Sequence, residues 1–246
     1  MNGDSLVPFP EPWRVGVVIP ACNEEATIVA SIAAARHALA TCRELDRSWI
    51  VIVCDSCTDR TEERARQALG AHGEIIKCSV ASAGTARRLG AAAVIEHFAD
   101  SAMESLWIAN TDADTCVPGD WLERQLSYAA RGCAAVAGIV AVERVADCSA
   151  AEMERLFADY EIFPDGTHPH VHGANMGVRA DAYLEAGGWS DKALAEDHCL
   201  WQRLRRLRWP VASSASLVVT TSGRLLGRAA GGFADSLRTR VAALYG

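Results

Sequence analysis

Asp112 and Asp114, in the run Thr111-Asp112-Ala113-Asp114-Thr115, are the side chains whose type and spacing point most directly to chemistry. On an extended backbone residues two apart share a face, so both carboxylates leave the chain on one side. Hard oxygen ligands so arranged suit Mg²⁺ or Mn²⁺, which bind through one or two carboxylates and complete their shells with water and substrate phosphates. The same run also reads as a polar turn, with Asp114 or Thr115 capping the helix announced by Pro118 and Trp121. A second acidic pair, Glu196-Asp197, opens a segment carrying Trp201 and Leu204 at helical spacing. A helix N-terminus favours ionised carboxylates, which accounts for one acid there better than for two. An ionised acid within hydrogen-bond reach of a hydroxyl can act as its base.

The elements that must hold these acids are legible as alternating strands and helices. Leu106 to Asn110, just before the Asp pair, is a continuous apolar stretch of the kind buried on both faces of a sheet. Val15 to Ile19, a short apolar run stopped by Pro20, Trp49 to Val53 and Glu74 to Val80 are the earlier strands. Between them, Glu25 to about Cys42, Asp59 to Leu69 and Gly84 to Phe98 carry helical periodicity, the first through Ile28, Ile32, Ala35 and Leu39. Such alternation implies an α/β fold with a mostly parallel central sheet flanked by helices. Ligands then bind outside the carboxyl ends of the strands, where the Asp pair falls. Farther on, Ala134 to Val142 predicts a strand, and Ala150 to Tyr160 and Glu196 to Leu207 predict helices. Nothing in the chain is rich enough in Pro, Gly or Ser to split it, so residues 14–222 read as a single domain. Residues 1–13 form an irregular lead-in, and 223–246 a lid and tail helix of the same domain.

Three further segments fall at loops beside that crevice. Pro20-Ala21-Cys22-Asn23-Glu24-Glu25 leaves the first strand and enters a helix, either as a cap at Asn23 or as a ligand-lining turn. Asp55, at the end of the second strand, is free for a nucleobase or ribose if Thr58 or Asp59 caps the following helix. Gly84-Thr85-Ala86-Arg87-Arg88 brings two guanidinium groups to a helix start, suited to a diphosphate. Adjacent helical residues diverge by about 100°, so one of Arg87 and Arg88 faces the ligand and the other solvent. His168-Pro169-His170-Val171-His172 alternates three imidazoles, read as a loop whose His172 or His170 contacts a ligand, with a zinc site as the minority reading. The Gly-rich basic stretch from Thr220 through Arg224 and Arg228 to Phe233 reads as a lid over a diphosphate or as an exposed loop before a terminal helix.

Composition narrows the classes. A 246-residue chain with 50% hydrophobic and 22% charged residues is an ordered globular protein. A net charge of −7 excludes the concentrated basic surface that nucleic acid requires. No apolar run approaches the roughly 20 residues of a membrane span. Nine cysteines, an odd number without framework spacing, read as free thiols in a reducing cytoplasm; Cys54 and Cys57 form the one close pair. Phe233, Leu237 and Leu244 in the tail could pack on the domain or on a second copy, so a homodimer is allowed.

Taken in order, from Val15 to Pro210, these segments resemble family 2 glycosyltransferases of the GT-A fold. Val17-Val18-Ile19-Pro20-Ala21-Cys22-Asn23-Glu24-Glu25 looks like the family's opening V-I-P-x-x-N-E-E segment, which lines the nucleotide pocket. Val53 to Thr61 looks like its V-D-D-G-S-T-D-G-T segment, keeping the second Asp as Asp55 but with Cys54 and Ser56 in place of the first Asp and the Gly. The family's D-x-D falls on Asp112-Ala113-Asp114, its G-x-N-x-x-x-R stretch on Gly173 to Arg179 with Asn175, and its E-D pair on Glu196-Asp197. The resemblance implies a sugar transferase using a nucleoside-diphosphate sugar, UDP by expectation, with Mn²⁺ or Mg²⁺ held by Asp114 and Asp112. It implies Asp197 as the base of an inverting reaction on an unidentified acceptor hydroxyl, with His170, His172, Trp189 and Arg224 as the candidates for the acceptor side or the lid. The Q-x-x-R-W signature and membrane helices of processive members are absent, which implies addition of one sugar. A retaining enzyme of the same fold is the alternative; a sugar-nucleotide nucleotidyltransferase, which opens on a G-x-G-x-R loop, and a non-catalytic binding protein are remoter.

Overall fold

The computed structural model describes residues 12–145, 148–158, 160–191, 195–225 and 233–245. The first half follows the predicted alternation: β1 (Trp13–Ala21), α1 (Ile28–Thr41), β2 (Leu45–Asp55), α2 (Thr61–Leu69), β3 (Gly73–Cys78), α3 (Ala83–His97) and β4 (Leu106–Asn110). The second half adds β5 (Thr115–Cys116), α4 (Trp121–Ala130), β6 (Ala135–Val145), α5 (Ala150–Leu156), β7 (Met176–Arg179), α6 (Ala180–Glu185), α7 (Glu196–Arg206), β8 (Val211–Gly223) and α8 (Phe233–Tyr245). Among the described residues the strands form one eight-stranded sheet in the order β3-β2-β1-β4-β7-β6-β8-β5. β1 to β4 run parallel, β7 is antiparallel to both β4 and β6, and β8 runs parallel to β6. No described helix is long and apolar enough to cross a membrane.

Alternation along β1 sorts the core into two layers. Trp13, Val15, Val17 and Ile19 face one side, packing with Ile28, Ile32 and Ala35 of α1 and Trp121 and Leu122 of α4. Val18 faces the other side, with Val94 of α3, Tyr183 of α6 and Leu200 and Leu204 of α7. Burying each such large aliphatic side chain contributes about 1.5–3 kcal/mol. α3 lies unusually close to the sheet: a Cβ on Gly90 would sit 2.5 Å from Val18 Cγ1, so only glycine lets the helix approach. That approach brings the first turn of α3 to the carboxyl ends of β1 and β4.

The differences from expectation have local causes. α1 begins at Ile28 because Glu24 to Thr27 form a turn, with the amides of Thr27 and Ile28 both donating to Glu24 O. α5 stops at Leu156, short of the predicted Tyr160. β7 and β8 carry no predicted strand. β7 is four residues of a stretch read as a loop motif, and β8 is half Ser and Thr, without a continuous apolar run. Both are stabilised by pairing with β6, a long-range effect that local pattern does not report. In the tail, Leu237 is buried with Val145, Cys148 and Leu156, and Leu244 packs on the same cluster, so these two side chains cover their own chain. The lead-in over 1–11 and the Gly227, Arg228, Gly231 and Gly232 positions of the expected lid lie outside the described residues.

Candidate functional site

The carboxyl ends of β1, β2 and β4 converge as their parallel pairing requires, and the loops leaving them are laced to one another. Asn23, with φ 53°, caps no helix; its Oδ1 accepts the amide of Thr58 at 2.8 Å and that of Asp59 at 3.3 Å. The amide of Glu24 donates to Thr61 Oγ1 at 2.7 Å, and that of Glu25 to Asp59 Oδ2 at 3.1 Å. Pro20 and Ala21 belong to β1 itself, Ala21 being buried in the core. This cross-bracing fixes the mouth of the crevice before any ligand arrives.

Asp55 corrects one expectation. Its carboxylate is not free: it accepts the amides of Val80 (2.8 Å), Ala81 (3.0 Å) and Ser82 (3.0 Å), so it organises the turn into α3. Burial opposes its charge, but the amides of Ala81, Ser82 and Val80 outweigh that and hold the carboxyl below its ordinary value. Its neighbour Cys54 is a buried thiol pushed up to about 12, chiefly by burial, which makes it a poor nucleophile or metal ligand at neutral pH.

The Asp pair also departs from the extended geometry expected of it. β4 ends at Asn110, and Asp112 to Thr115 form a turn closed by the Thr115 amide donating to Asp112 O at 3.1 Å. Ala113 between them is buried in the core, while the two carboxylates take different arginines. Asp112 Oδ1 lies 2.6 Å from Arg87 Nη2. Asp114 Oδ2 accepts Ser222 Oγ at 2.8 Å and lies 3.2 Å from Arg224 Nη2. Thr221 Oγ1 donates to Asp114 Oδ1 at 3.3 Å.

Arg87 is the hub. Its other terminal nitrogen binds Glu196 Oε1, so one guanidinium joins the β4 turn to the N-terminus of α7. Burial disfavours its charge, and Asp112, Glu196 and Asp197 together hold it charged. A Cβ on Gly173 would lie 2.5 Å from Arg87 Cζ, so any side chain there would have to push the guanidinium off its carboxylates. Trp189, expected on the acceptor side, is instead 1% exposed, with Arg87 Cζ 5.4 Å from its ring. Arg87 was expected to meet a diphosphate; its terminal nitrogens are occupied by carboxylates. Arg88 is exposed, as divergence on the helix predicted.

Asp197 stands beside this hub. Its Oδ2 accepts the Gly173 amide at 3.0 Å and its Oδ1 the His198 amide at 2.7 Å, which leaves lone pairs for a further donor. Asn175, expected against the donor, is fully buried and engaged: Nδ2 donates to Ile139 O and Leu217 O, both at 2.9 Å, and Oδ1 accepts Trp121 Nε1 at 3.0 Å. It therefore pins β6, β8 and α4 around the turn Gly173–Asn175 rather than facing a ligand.

The alternating histidines form a ladder. His168, His170 and His172 stack at centroid spacings of 5.8 and 6.0 Å, and Tyr160 lies on His170 at 3.8 Å. Tyr160, which sequence reading missed, also hydrogen-bonds His172 Nε2 at 2.9 Å. Burial pushes the His172 imidazole down to about 4 and the Tyr160 phenol up to about 12, so both are neutral at pH 7. Among the described residues no group of three or more His, Cys, Asp or Glu is arranged to hold a metal, which removes the zinc reading of the ladder. Asp114, with the hydroxyls of Ser222 and Thr221, is an all-oxygen set whose chemistry fits Mg²⁺ or Mn²⁺ bound through one or two carboxylates.

The family model described as "Glycosyl transferase family 2" matches residues 16–185. No curated protein matches the chain. Among solved structures, a mannosyltransferase from Pyrobaculum calidifontis in complex with GDP-Man and Mn²⁺ is similar, with a TM-score of 0.59 and 19% identity over 95% of this chain and 63% of that one. S. aureus TarS residues 1–349 give a TM-score of 0.59 at 12% identity over 85% of this chain and 60% of that one. The same TarS fragment in complex with UDP gives 0.56 at 14% identity over 86% and 61%. The chain thus spans about three fifths of the length of the mannosyltransferase and of the TarS fragment, and 36% of the longer TarS chain.

Proposed function

The chain belongs to glycosyl transferase family 2 and has the GT-A fold, and from there we propose that it transfers one sugar from a nucleoside-diphosphate sugar to an acceptor hydroxyl with inversion. The observation that carries this reading is the Arg87 bridge, which puts the Asp112 turn and the Glu196-Asp197 pair at one place. Asp197 takes the acceptor proton while the acceptor oxygen bonds to the anomeric carbon; the bond from that carbon to the diphosphate breaks, and the nucleoside diphosphate leaves with the electron pair. Glu196 is the buried counter-ion of Arg87 and sets the position of α7. Asn23 and Glu24 shape the nucleotide side through the braced loop over β1. Asp114, with Asp112 beside it, would hold Mn²⁺ or Mg²⁺, which when bound neutralises charge on the departing diphosphate. His170, His172 and Tyr160 line the acceptor side, reached from Asp197 through Gly173. Residues 14–222 form the transferase domain in this reading, with the tail closing it.

One similar protein is in complex with GDP-Man and another with UDP, so the base is an open variable for the assay. Thermal unfolding of the chain with UDP, GDP or dTDP, each with and without Mn²⁺, tests the proposal. One diphosphate should raise the midpoint strongly and only with the metal, because a ligand at a hundred times its Kd stabilises by about 2.7 kcal/mol. No shift with any diphosphate would refute a nucleotide-sugar site.

A further inference from the structure

Arg224 sits where a divalent ion on Asp114 would bring its charge. Its Nη1 and Nη2 grip Glu24 at 2.6 Å (Oε2) and 2.5 Å (Oε1), and Nη2 also lies 3.2 Å from Asp114 Oδ2. Glu24 is 200 residues away in sequence and belongs to the braced loop after β1; Asp114 belongs to the turn after β4. Arg224 therefore ties the end of β8 across the crevice to both sides of the proposed nucleotide site. A Mg²⁺ or Mn²⁺ ion must approach a carboxylate oxygen to roughly 2.1 Å. Two cations sharing Oδ2 at these separations repel strongly inside a partly buried site.

We infer that Arg224 is the resident counter-cation of Asp114, and that a divalent metal binds there only by displacing it, which opens the Arg224 latch on Asp114 while Ser222 and the β5–β8 pairing keep the end of β8 on the β4 turn. The inference rests on the reading of Asp114 as the metal ligand. It also gives Arg224 a second use: the Nη2 donor released by Asp114 is open to a phosphate oxygen that arrives with the metal, while Glu24 keeps its grip on the guanidinium. Ser222 stays as the neutral partner of Asp114, since a hydroxyl adds no charge against the ion. At Asp114 the cation is thus exchanged rather than added.

Titration of Mn²⁺ alone into the full chain, followed by calorimetry and by loss of the free-ion electron paramagnetic resonance signal, tests this directly. Arg224→Ala should bind Mn²⁺ at least tenfold more tightly than the unaltered chain, and Arg224→Lys, which keeps the charge, should stay near it. Adding Asp114→Asn to Arg224→Ala should abolish the gain, and circular dichroism of each variant confirms the fold. Equal or weaker binding by Arg224→Ala, a gain that survives Asp114→Asn, or no Mn²⁺ binding by any form would overturn the inference. Release of nucleoside diphosphate from a donor reports separately on the transferase reading. A tightened Mn²⁺ site without that release leaves the latch standing and removes the transfer chemistry, and the reverse result removes the latch alone.

Discussion

Arg87→Met is the most informative single substitution, because one guanidinium holds two otherwise separate halves of the site. The Arg87 side chain is 5% exposed, Glu196 11% and Asp112 34%. At an effective dielectric of about 20, a unit pair at about 4 Å is worth roughly 4 kcal/mol. The Glu196 contact keeps most of that because both partners are buried, whereas water screens the Asp112 contact. Methionine fills the stem's volume but leaves Glu196 as a buried carboxylate without its cation, a loss that typically costs about 3–5 kcal/mol. For a chain of this size that corresponds to a fall in Tm of roughly 10 °C. Urea unfolding followed by circular dichroism measures the loss, and the double variant Arg87→Met with Glu196→Gln isolates its cause. Removing the orphaned charge should restore part of the stability, giving a coupling of at least about 1 kcal/mol. A cost below about 1 kcal/mol for Arg87→Met, or costs that simply add in the double variant, would refute the hub.

Two further predictions concern the frame. His172 titrates at about 4 in the folded chain against an ordinary 6.5, because burial disfavours its charged form. The unfolded chain therefore takes up the proton first as pH falls, so the stability it contributes is intact above pH 6.5 and declines toward pH 4. The loss is about 2 kcal/mol between pH 7 and pH 5, and His172→Gln should flatten that slope in urea midpoints; an unchanged slope would contradict the assignment. Asp55→Ala leaves the amides of Val80, Ala81 and Ser82 without their shared acceptor and should lower stability by about 3 kcal/mol, with hydrogen exchange speeding up first in that turn. Protection unchanged at those amides would show that the turn does not depend on the carboxylate.

The parallel half of the fold is readable locally because β1, β2 and β4 each carry an apolar run and alternate with helical stretches; β4 matches its expected span residue for residue. β7 and β8 are not readable that way, since their stability comes from pairing with β6 and from Asn175, which spans three elements. The acidic residues of the site were legible by type and order, but their partners were not. Nothing local says that Arg87 turns from a diphosphate to Glu196 and Asp112, or that Asp55 serves the turn into α3. Ser222 was inside a segment read as a lid, yet its bond to Asp114 depends on where β8 ends. Tyr160 carried no signal at all, because its partners His170 and His172 lie beyond a loop.

The central claim is that Asp197 primes the acceptor at the place where the Asp112 turn holds the leaving group. Nucleoside diphosphate release from the donor that stabilises the chain, with Mn²⁺ present, measures it in the unaltered protein and in Asp197→Asn. The account predicts release by the former and a kcat lower by about 10²–10⁴-fold in the latter, with donor binding retained. Turnover by Asp197→Asn within a few-fold of the unaltered chain would contradict it.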